Sequence, residues 1–472
     1  MIKSPSRATP RALAPLAAAL LLAGCSLMPT YERPAAPIES TWPEASVNPS
    51  TAGAPAAADL AWQTFFTDAT LKELIQTALT NNRDLRVAVL NIEQARAQLG
   101  IRRADKLPTV NATATGSRAP TGSGGINSTY TAGFAVTAYE LDFFDRVGSL
   151  KQQALAQYLA TQEGSKTAQI SLISTVAQTW LSLLSDEALL QLSRQTLTTR
   201  DDSLKLVQLR FKHGVVSELD LRLAESLQAA ARVTLAQQER QRTLDENALV
   251  LLLGQSLPPA ARAQLAGTNP TPLQFAVLPA GLPSDLLTRR PDIRQAEQQL
   301  VASNANIGAA RAAFYPRISL TAGAGTASSD LGNLFKDGYW GFTVAPQLVL
   351  PIFDGGRNQA NLDGAKAGRE IAVAQYEKAI QSAFREVADA LAANATLARQ
   401  LRAQEAQLAA EAARHGLTDL RYQNGASSQL DWLDAQRSLF SAQQALVQTR
   451  LIYAQSQVAL YKALGGGAPT MP

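Results

Sequence analysis

The alternation of apolar and polar residues predicts four β-strands in this chain of 472 residues. The predicted strands cover about residues 107–118, 129–142, 316–327 and 339–351. A period of two places apolar side chains on one face of a strand and polar side chains on the other. Residues 118–128 and 328–338, which join the strands of each pair, are rich in Gly, Ser, Thr and Asn, as hairpin loops are. The pattern therefore predicts two β-hairpins.

Most of the remaining chain has the composition of long helices, rich in Ala, Leu, Gln and Arg. We predict long helices over about residues 147–210 and 359–423, return helices over 217–253 and 428–464, and shorter helices over about 69–105 and 284–313. A helix of roughly 63 residues, at about 1.5 Å per residue, is about 95 Å long. Because two short helices laid end to end match one long helix, we expect a layered helical tube with strands at one end.

The whole pattern occurs twice, with an offset of 208 to 211 residues. The motif Arg210–Phe211–x–x–Gly214–x–x–Ser217–x–Leu219–Asp220 returns as Arg421–Tyr422–x–x–Gly425–x–x–Ser428–x–Leu430–Asp431. The predicted domains are a signal peptide (1–24), an extended N-terminal segment (25–67), a first repeat (68–265), a second repeat (266–465) and a tail (466–472). A tandem repeat of this length predicts a pseudo-symmetric molecule.

The composition indicates neither an enzyme nor a nucleic-acid-binding protein. The two histidines, His213 and His415, have no Ser or Cys nucleophile motif nearby, and the carboxylates show no pairing suited to acid–base catalysis. We therefore expect no cofactor and no metal site. No run of 18 apolar residues follows residue 30, which excludes a transmembrane helix in the mature chain.

The N-terminus has the layout of a lipoprotein signal peptide. Lys3, Arg7 and Arg11 precede the apolar residues 12–23, and the segment ends at Cys25, the only cysteine of the chain. Leu22–Ala23–Gly24–Cys25 matches the lipobox of bacterial lipoproteins, in which the cysteine thiol accepts a diacylglyceryl group and the new N-terminus an acyl group. Cleavage leaves 40 basic against 39 acidic side chains. The near-neutral mature chain gives no support for nucleic-acid binding.

The lipid would anchor the chain firmly. Each methylene group buried in the bilayer contributes about 0.8 kcal/mol, so several acyl chains bind the membrane far more tightly than one. Ser26, where Asp is the usual inner-membrane retention signal, resembles the lipoproteins sorted to the outer membrane.

Strands in an outer membrane must belong to a closed barrel, because an open sheet edge leaves backbone groups unsatisfied in lipid. Four strands cannot close around a water-filled lumen, since bacterial barrels begin at about eight strands. Two copies of the chain would supply eight strands, which is too narrow for a conduit, and three would supply twelve. The sequence thus predicts an oligomeric barrel continued by a helical tunnel.

Several motifs in a fixed order resemble those of the outer-membrane factor family, in its lipoprotein branch that is called NodT-type and TolC-like. They are Tyr31–Glu32–Arg33–Pro34, Arg289–Arg290–Pro291–Asp292–Ile293, Gly308–Ala309–Ala310–Arg311–Ala312–Ala313–Phe314–Tyr315–Pro316, Pro351–Ile352–Phe353–Asp354–Gly355–Gly356–Arg357 and Leu433–Asp434–Ala435–Gln436–Arg437. The resemblance extends over about residues 30–465. Arg290–Pro291–Asp292 is also explained as a helix start with Pro in the first turn.

The resemblance implies a mainly α-helical protein with a membrane β-barrel. A homotrimer would share a 12-stranded β-barrel and a long α-helical barrel in the periplasm. It would act as the passive outer-membrane channel of a tripartite efflux or type I secretion system. The implied partners are a periplasmic membrane-fusion adaptor, an inner-membrane pump of the RND or ABC type and outer-membrane lipid.

An alternative is a periplasmic adaptor-like lipoprotein with helical hairpins and no pore. Adaptors share the lipobox and the long hairpins. They lack paired amphipathic strands in each of two repeats, and the chain contains no recognisable lipoyl domain. The predicted strands therefore favour the channel.

The candidate gate lies at the turns that follow the two long helices. By resemblance, Asp431 and Asp434 match an acidic constriction, Leu430 an apolar gate residue and Tyr422 an aromatic residue of the tip. Tyr422 can equally pack under the turn, as Phe211 would. Asp434 lies one helical turn beyond Asp431, on the same helix face.

Two features of this region bear on the gate assignment. Ser217–x–x–Asp220 and Ser428–x–x–Asp431 have the capping-box pattern, so Asp220 serves either as a helix cap or in the gate. Ser427 stands where some family members carry an Arg that bridges neighbouring helices, so that bridge is absent or replaced. In a trimer, six carboxylates from Asp431 and Asp434 would make the mouth cation-selective, and their crowding would raise their pKa values.

The lipobox leads to a first prediction. Cys25→Ser should abolish both acylation and signal cleavage, because no other thiol exists to accept the lipid. Labelling with radioactive palmitate in growing cells measures this directly. Label retained by the Cys25→Ser protein would contradict the anchor assignment.

Overall fold

The computed structural model describes residues 26–39, 41–42, 60–122, 124–267, 275–276, 278 and 283–467. The predicted signal peptide and Cys25 lie outside the described residues. In the first half, the elements are α1 (Trp62–Phe65), α2 (Ala69–Asn81), α3 (Arg83–Ala104), β1 (Val110–Pro120), β2 (Ile126–Leu141), α4 (Arg146–Lys212), α5 (Glu218–Leu253) and α6 (Pro259–Ala266). In the second half, they are α7 (Pro283–Arg289), α8 (Pro291–Ala312), β3 (Arg317–Ser328), β4 (Trp340–Val349), α9 (Arg357–Gln423) and α10 (Gln429–Ala463).

The long helices α4 and α9 have 67 residues each, and the return helices α5 and α10 have 36 and 35. Each return helix is thus about half as long as the helix before it. Among the described helices, none combines the length and the apolarity that a membrane-spanning helix requires.

The chain divides into two compact units. The first comprises Met1–Ala35, Asn91–Gln162 and Gln295–Glu377, and the second Ala36–Leu90, Glu163–Arg294 and Lys378–Pro472. The four strands belong to the first unit, and the two helical turns that follow α4 and α9 belong to the second.

The four strands form one antiparallel sheet in the order β1-β2-β3-β4. Strands β1 and β2 pair from Val110↔Val136 to Pro120↔Ile126, so their turn is shorter than the loop predicted over 118–128. The pairing of β2 with β3 joins the two copies of the repeat, and its register shifts between Val136 and Tyr139. Among the residues that the structure describes, β1 and β4 each pair on one side only. The sheet therefore has two open edges.

The N-terminal segment is bound to α8 in the first unit. The Arg33 guanidinium donates from Nε to Glu297 Oε1 at 2.7 Å and from Nη2 to Glu297 Oε2 at 2.9 Å. The Tyr31 hydroxyl donates to Glu297 Oε1 at 3.1 Å. One buried carboxylate thus fixes the segment Tyr31–Glu32–Arg33 by three hydrogen bonds.

A hydrophobic core gathers several elements of the second unit. The Phe65 ring stacks on Tyr461 at 4.1 Å between ring centroids, and the Tyr461 hydroxyl donates to the Leu60 carbonyl at 2.6 Å. Trp180 of α4 is fully buried in the same cluster. The helices of the second unit therefore pack around large aromatic residues.

The helix before each hairpin is interrupted, whereas the sequence predicted continuous helices over 69–105 and 284–313. In the first copy, α2 ends at Asn81 and α3 begins at Arg83. The Asn82 side chain explains the break, since its Oδ1 accepts from the Leu85 N–H at 2.9 Å and caps α3. Its Nδ2 donates to the Leu252 carbonyl at 3.0 Å.

The equivalent break in the second copy lies at Arg290, between α7 and α8. Pro291 is the first residue of α8. Proline is favoured there because the N–H groups of the first helical turn have no partner within the helix. The Arg290 guanidinium binds Asp292, and it donates at 2.8 Å both to Glu386 Oε2 and to the Ala463 carbonyl. Arg290 therefore connects the start of α8 to α9 and to the end of α10.

A second prediction concerns the first break. Asn82 is only 6% exposed, and Asn82→Ala removes the cap of α3 and the donor to Leu252. The loss should cost about 1–2 kcal/mol, measured as a lower midpoint of thermal unfolding. Asn91→Ala, at an exposed position of α3, is the matched control. If both variants unfold alike, the Asn82 side chain does not stabilise the break.

Candidate gate at the two helical turns

The two long helices end in turns of the same geometry. After α4, Gly214 has φ 68°, the Val215 N–H donates to the Arg210 carbonyl at 2.9 Å, and the Gly214 N–H donates to the Phe211 carbonyl at 2.9 Å. This is the Schellman pattern of a helix C-terminus, and its positive φ favours glycine.

After α9, Gly425 has φ 73°, and the Ala426 N–H donates to the Arg421 carbonyl at 2.8 Å. The repeated motif therefore encodes one turn twice. We call the segments Lys212–Ser217 and Gln423–Ser428 the first and second tips.

Each tip leads into a capping box at the start of the return helix. At the first tip, Ser217 Oγ accepts from the Asp220 N–H at 3.2 Å, and Asp220 Oδ2 accepts from the Ser217 N–H at 3.0 Å. At the second, Ser428 Oγ accepts from the Asp431 N–H and Asp431 Oδ2 from the Ser428 N–H, both at 3.1 Å. Asp220 and Asp431 are therefore both helix-capping residues in this structure.

Capping also determines the charge of Asp431. Hydrogen bonds from the Ser428 hydroxyl and then from the Ser428 N–H lower the pKa of Asp431 below its ordinary 3.8. Within one chain, this direction is opposite to the rise expected from crowded like charges. The pKa of Asp431 is lower in the folded protein than in the unfolded chain. The ionised cap therefore stabilises the fold at a pH above the unfolded-chain pKa, and this stabilisation is lost as the pH falls through the folded-state pKa. Ser427 contributes its hydroxyl, which donates to Asp431 Oδ2 at 3.3 Å.

Asp434 lies between two arginines. Its Oδ1 accepts from Arg437 Nη2 at 2.6 Å, and its Oδ2 accepts from Arg414 Nη1 at 3.4 Å. Arg414 also pairs with Glu411 at 2.8 Å. Neither arginine was predicted as a partner of Asp434, although Arg437 follows Asp434 by three positions on the same helix face, a spacing that favours an ion pair. Asp434 is therefore an ion-paired carboxylate on α10, and its charge is partly balanced within the chain.

Tyr422, near the end of α9, contacts α10 through its ring and α4 through its hydroxyl. The ring stacks on Trp432 at 5.2 Å between centroids with an angle of 12° between planes. Arg210 Nη1 donates to the Tyr422 oxygen at 2.5 Å, and Trp432 Nε1 donates to Asp419 Oδ1 at 2.8 Å. Trp432 was not predicted as a functional residue. The sequence does distinguish it, because the equivalent position in the first copy is Leu221, so the tryptophan is a difference between the two repeats.

Leucines at the start of the return helices point away from the rest of the chain. Leu430 is 63% exposed and Leu219, its equivalent at the first tip, is 78% exposed. Such side chains are available to line a mouth formed with other copies.

The described residues hold no group of three or more His, Cys, Asp or Glu suited to a metal ion. The tips therefore offer caps, ion pairs, an aromatic stack and exposed leucines.

Comparison with known proteins identifies the family. The family model described as "Outer membrane efflux protein" matches residues 74–255 and 282–466. The toluene efflux pump outer membrane protein TtgC of Pseudomonas putida is 48% identical over 460 residues, which cover 95% of this chain and 94% of that protein. The outer membrane protein OprJ of Pseudomonas aeruginosa is 45% identical over 456 residues, with 95% and 94% covered.

Solved structures agree. The open state of the Neisseria gonorrhoeae MtrE outer membrane channel matches with a TM-score of 0.85 at 40% identity, covering 94% of this chain and 99% of that one. The chain belongs to the outer membrane efflux protein family.

Family membership confirms the main functional prediction. The chain is an outer-membrane efflux channel, which the comparisons support over the adaptor-like alternative. It is located in the outer membrane, and its family consists of channel and transport proteins. The predicted TolC-like class of fold is confirmed as well. The domain boundaries, the lipid anchor and the gate residues stay predictions.

Proposed function

We propose that three copies of this chain form the passive outer-membrane conduit of a tripartite efflux assembly. In this assembly, a periplasmic adaptor and an inner-membrane pump of the RND or ABC type deliver the cargo. The relatives are described as outer membrane proteins of efflux pumps, and a pump in another membrane requires a connecting partner. No further cofactor is required, apart from the lipid proposed for Cys25.

The open edges of the sheet carry the proposal of a trimer. The outer edges of β1 and β4 have no partner strand within the described chain. In lipid, such an edge is too costly to persist, so the edges must pair between chains. Three four-stranded sheets give twelve strands, enough for a water-filled lumen, whereas two give a barrel that side chains nearly fill.

The side chains of β4 support a lipid-facing wall. Trp340, Phe342, Val344 and Leu348 occupy alternate positions and are all exposed in the single chain. Alternate residues share one face of a strand, so these form a continuous apolar face. An apolar outer face with aromatic residues towards its end is what a membrane barrel requires.

The second tip carries the proposed gate. Leu430, Asp431 and Asp434 lie together at the start of α10, and Tyr422 holds this region to Arg210 near the end of α4. We assign Asp434 to ion selectivity, because its carboxylate has no part in the capping box. Asp431 combines a cap with charge at the mouth, and Asp220 acts as a cap alone.

A third prediction tests the channel itself. The purified full-length protein should migrate as a trimer in an unheated detergent gel and as a monomer after heating, because paired strands resist detergent. It should also conduct ions in a planar lipid bilayer. A monomer without conductance would instead agree with an adaptor-like lipoprotein.

A fourth prediction tests the gate. Asp434→Ala removes a negative charge and leaves Arg414 and Arg437 without this acceptor. In planar-bilayer recordings, the permeability ratio of cations over anions should fall, and block by a trivalent cation should weaken. Trimer formation should persist, because the strands are unchanged.

Asp202→Ala is the matched control for charge. Asp202 is an exposed acid on α4 that pairs with Lys205 three residues later. Its loss should leave selectivity at the wild-type value. If Asp434→Ala also leaves selectivity and block unchanged, Asp434 is an ordinary residue of the helix surface.

A further inference from the structure

A buried carboxylate between α4 and α5 has no apparent role in the gate. Asp186 of α4 is 7% exposed, and its Oδ2 has no hydrogen-bond partner among the described residues. A buried, unpaired charge is costly enough that such a group normally becomes neutral. The chemistry around Asp186 therefore needs an explanation.

The nearest cation is already bound to other acids. Arg242 of α5 donates from Nε to Glu187 Oε2 and from Nη1 to Glu246 Oε2, each at 2.8 Å. Asp245 lies beside Asp186, and Gln241 donates to its Oδ1 at 3.2 Å. Arg242 thus binds two other carboxylates, and Arg194 lines the same surface pocket as Glu187 and Arg242, while Asp186 Oδ2 receives no hydrogen bond from the described residues.

Helix α10, which also packs on α4, does not supply the missing positive charge. Gln455 Nε2 donates to Ser182 Oγ at 3.0 Å, which fixes the alignment of these antiparallel helices. The arginine of α10 nearest to Gln455 in the sequence is Arg450, five positions earlier. The Arg450 guanidinium is bound to Glu405 Oε1 at 3.3 Å. The charged groups that act on Asp186 are therefore Asp245 and Arg242 of α5.

We propose that Asp186 and Asp245 share one proton, and that this protonated pair is a proton-binding site that holds α4 against α5. One carboxyl group donates its O–H to the other, which satisfies the orphaned oxygen and removes one negative charge. When the proton is lost, two adjacent carboxylates repel each other within the helix pair, and α4 and α5 loosen there.

Burial and the neighbouring Asp245 both raise the pKa of Asp186. Burial is the larger cause and Asp245 the second, and together they raise the pKa of Asp186 to about 7. In the unfolded chain the pKa of Asp186 takes its ordinary value of 3.8, so the folded protein holds an extra proton between these two pKa values. Stability must therefore fall as the pH rises through this window.

Thermal unfolding of the full-length protein in detergent tests the pair. The wild-type melting temperature should fall between about pH 5 and about pH 8, following the loss of the shared proton. Asp186→Asn and Asp245→Asn each provide an amide N–H in place of the shared proton. Both variants should lose most of this pH dependence and melt above the wild type at about pH 8. Asp202→Asn, whose side chain is 67% exposed before the change, should keep the wild-type slope.

Two further measurements keep the inference testable if a variant fails to fold. Infrared difference spectra of the wild type should show a protonated carboxyl C=O band that disappears near neutral pH. Hydrogen–deuterium exchange, corrected for its intrinsic pH dependence, should accelerate around residues 183–190 and 241–249 at the higher pH. A flat wild-type melting curve, or an infrared band already absent at about pH 5, would overturn the proposal. None of these measurements uses transport, so their outcome is independent of the channel function.

Discussion

Backbone hydrogen bonding in lipid is the constraint on which the rest of this architecture depends. A strand in a bilayer must pair on both sides, and the described part of one chain supplies four strands with two open edges. The sheet of a single chain is therefore incomplete, and part of the surface of that chain must be an interface within an oligomer. The exposed apolar face of β4 and the exposed leucines at the start of the return helices would be liabilities on a monomer; in the proposed trimer they form a lipid-facing wall and the lining of a mouth.

At the tips, acidic residues of similar appearance have different physical roles. Asp220 and Asp431 satisfy free N–H groups at helix starts, which any helix of this kind requires. Asp434 instead balances Arg437 and Arg414, so changing it alters the electrostatics of α10 without removing a cap. Asp186, in the middle of α4, has an Oδ2 atom without a hydrogen-bond partner among the described residues, and we assign its neutralisation to a shared proton.

The sequence predicted the local features well and the contacts between distant elements poorly. Alternating strands, long helices, glycine turns and capping boxes depend on residues close together in the chain, and each of these predictions could be made from spacing alone. The bond from the Asn82 side chain to the Leu252 carbonyl joins distant parts of the chain, and the role of Tyr422 depends on Arg210 and Trp432. Such partners are fixed only once helices pack. The pair formed by Asp186 and Asp245 was invisible for the same reason, since 59 positions separate them.

The duplicated tip has a consequence for how this mouth can evolve. If one unit were encoded once and assembled six times, every substitution would appear six times around the ring. Because the unit is duplicated within the gene, a substitution in one copy recurs three times in the proposed trimer, and alternate positions remain free to differ. The two tips have already diverged in this way: Leu221 and Leu223 in the first copy stand where the second has Trp432 and Asp434. One copy of the repeat can thus keep the residues that the fold requires while the other copy acquires new functional side chains.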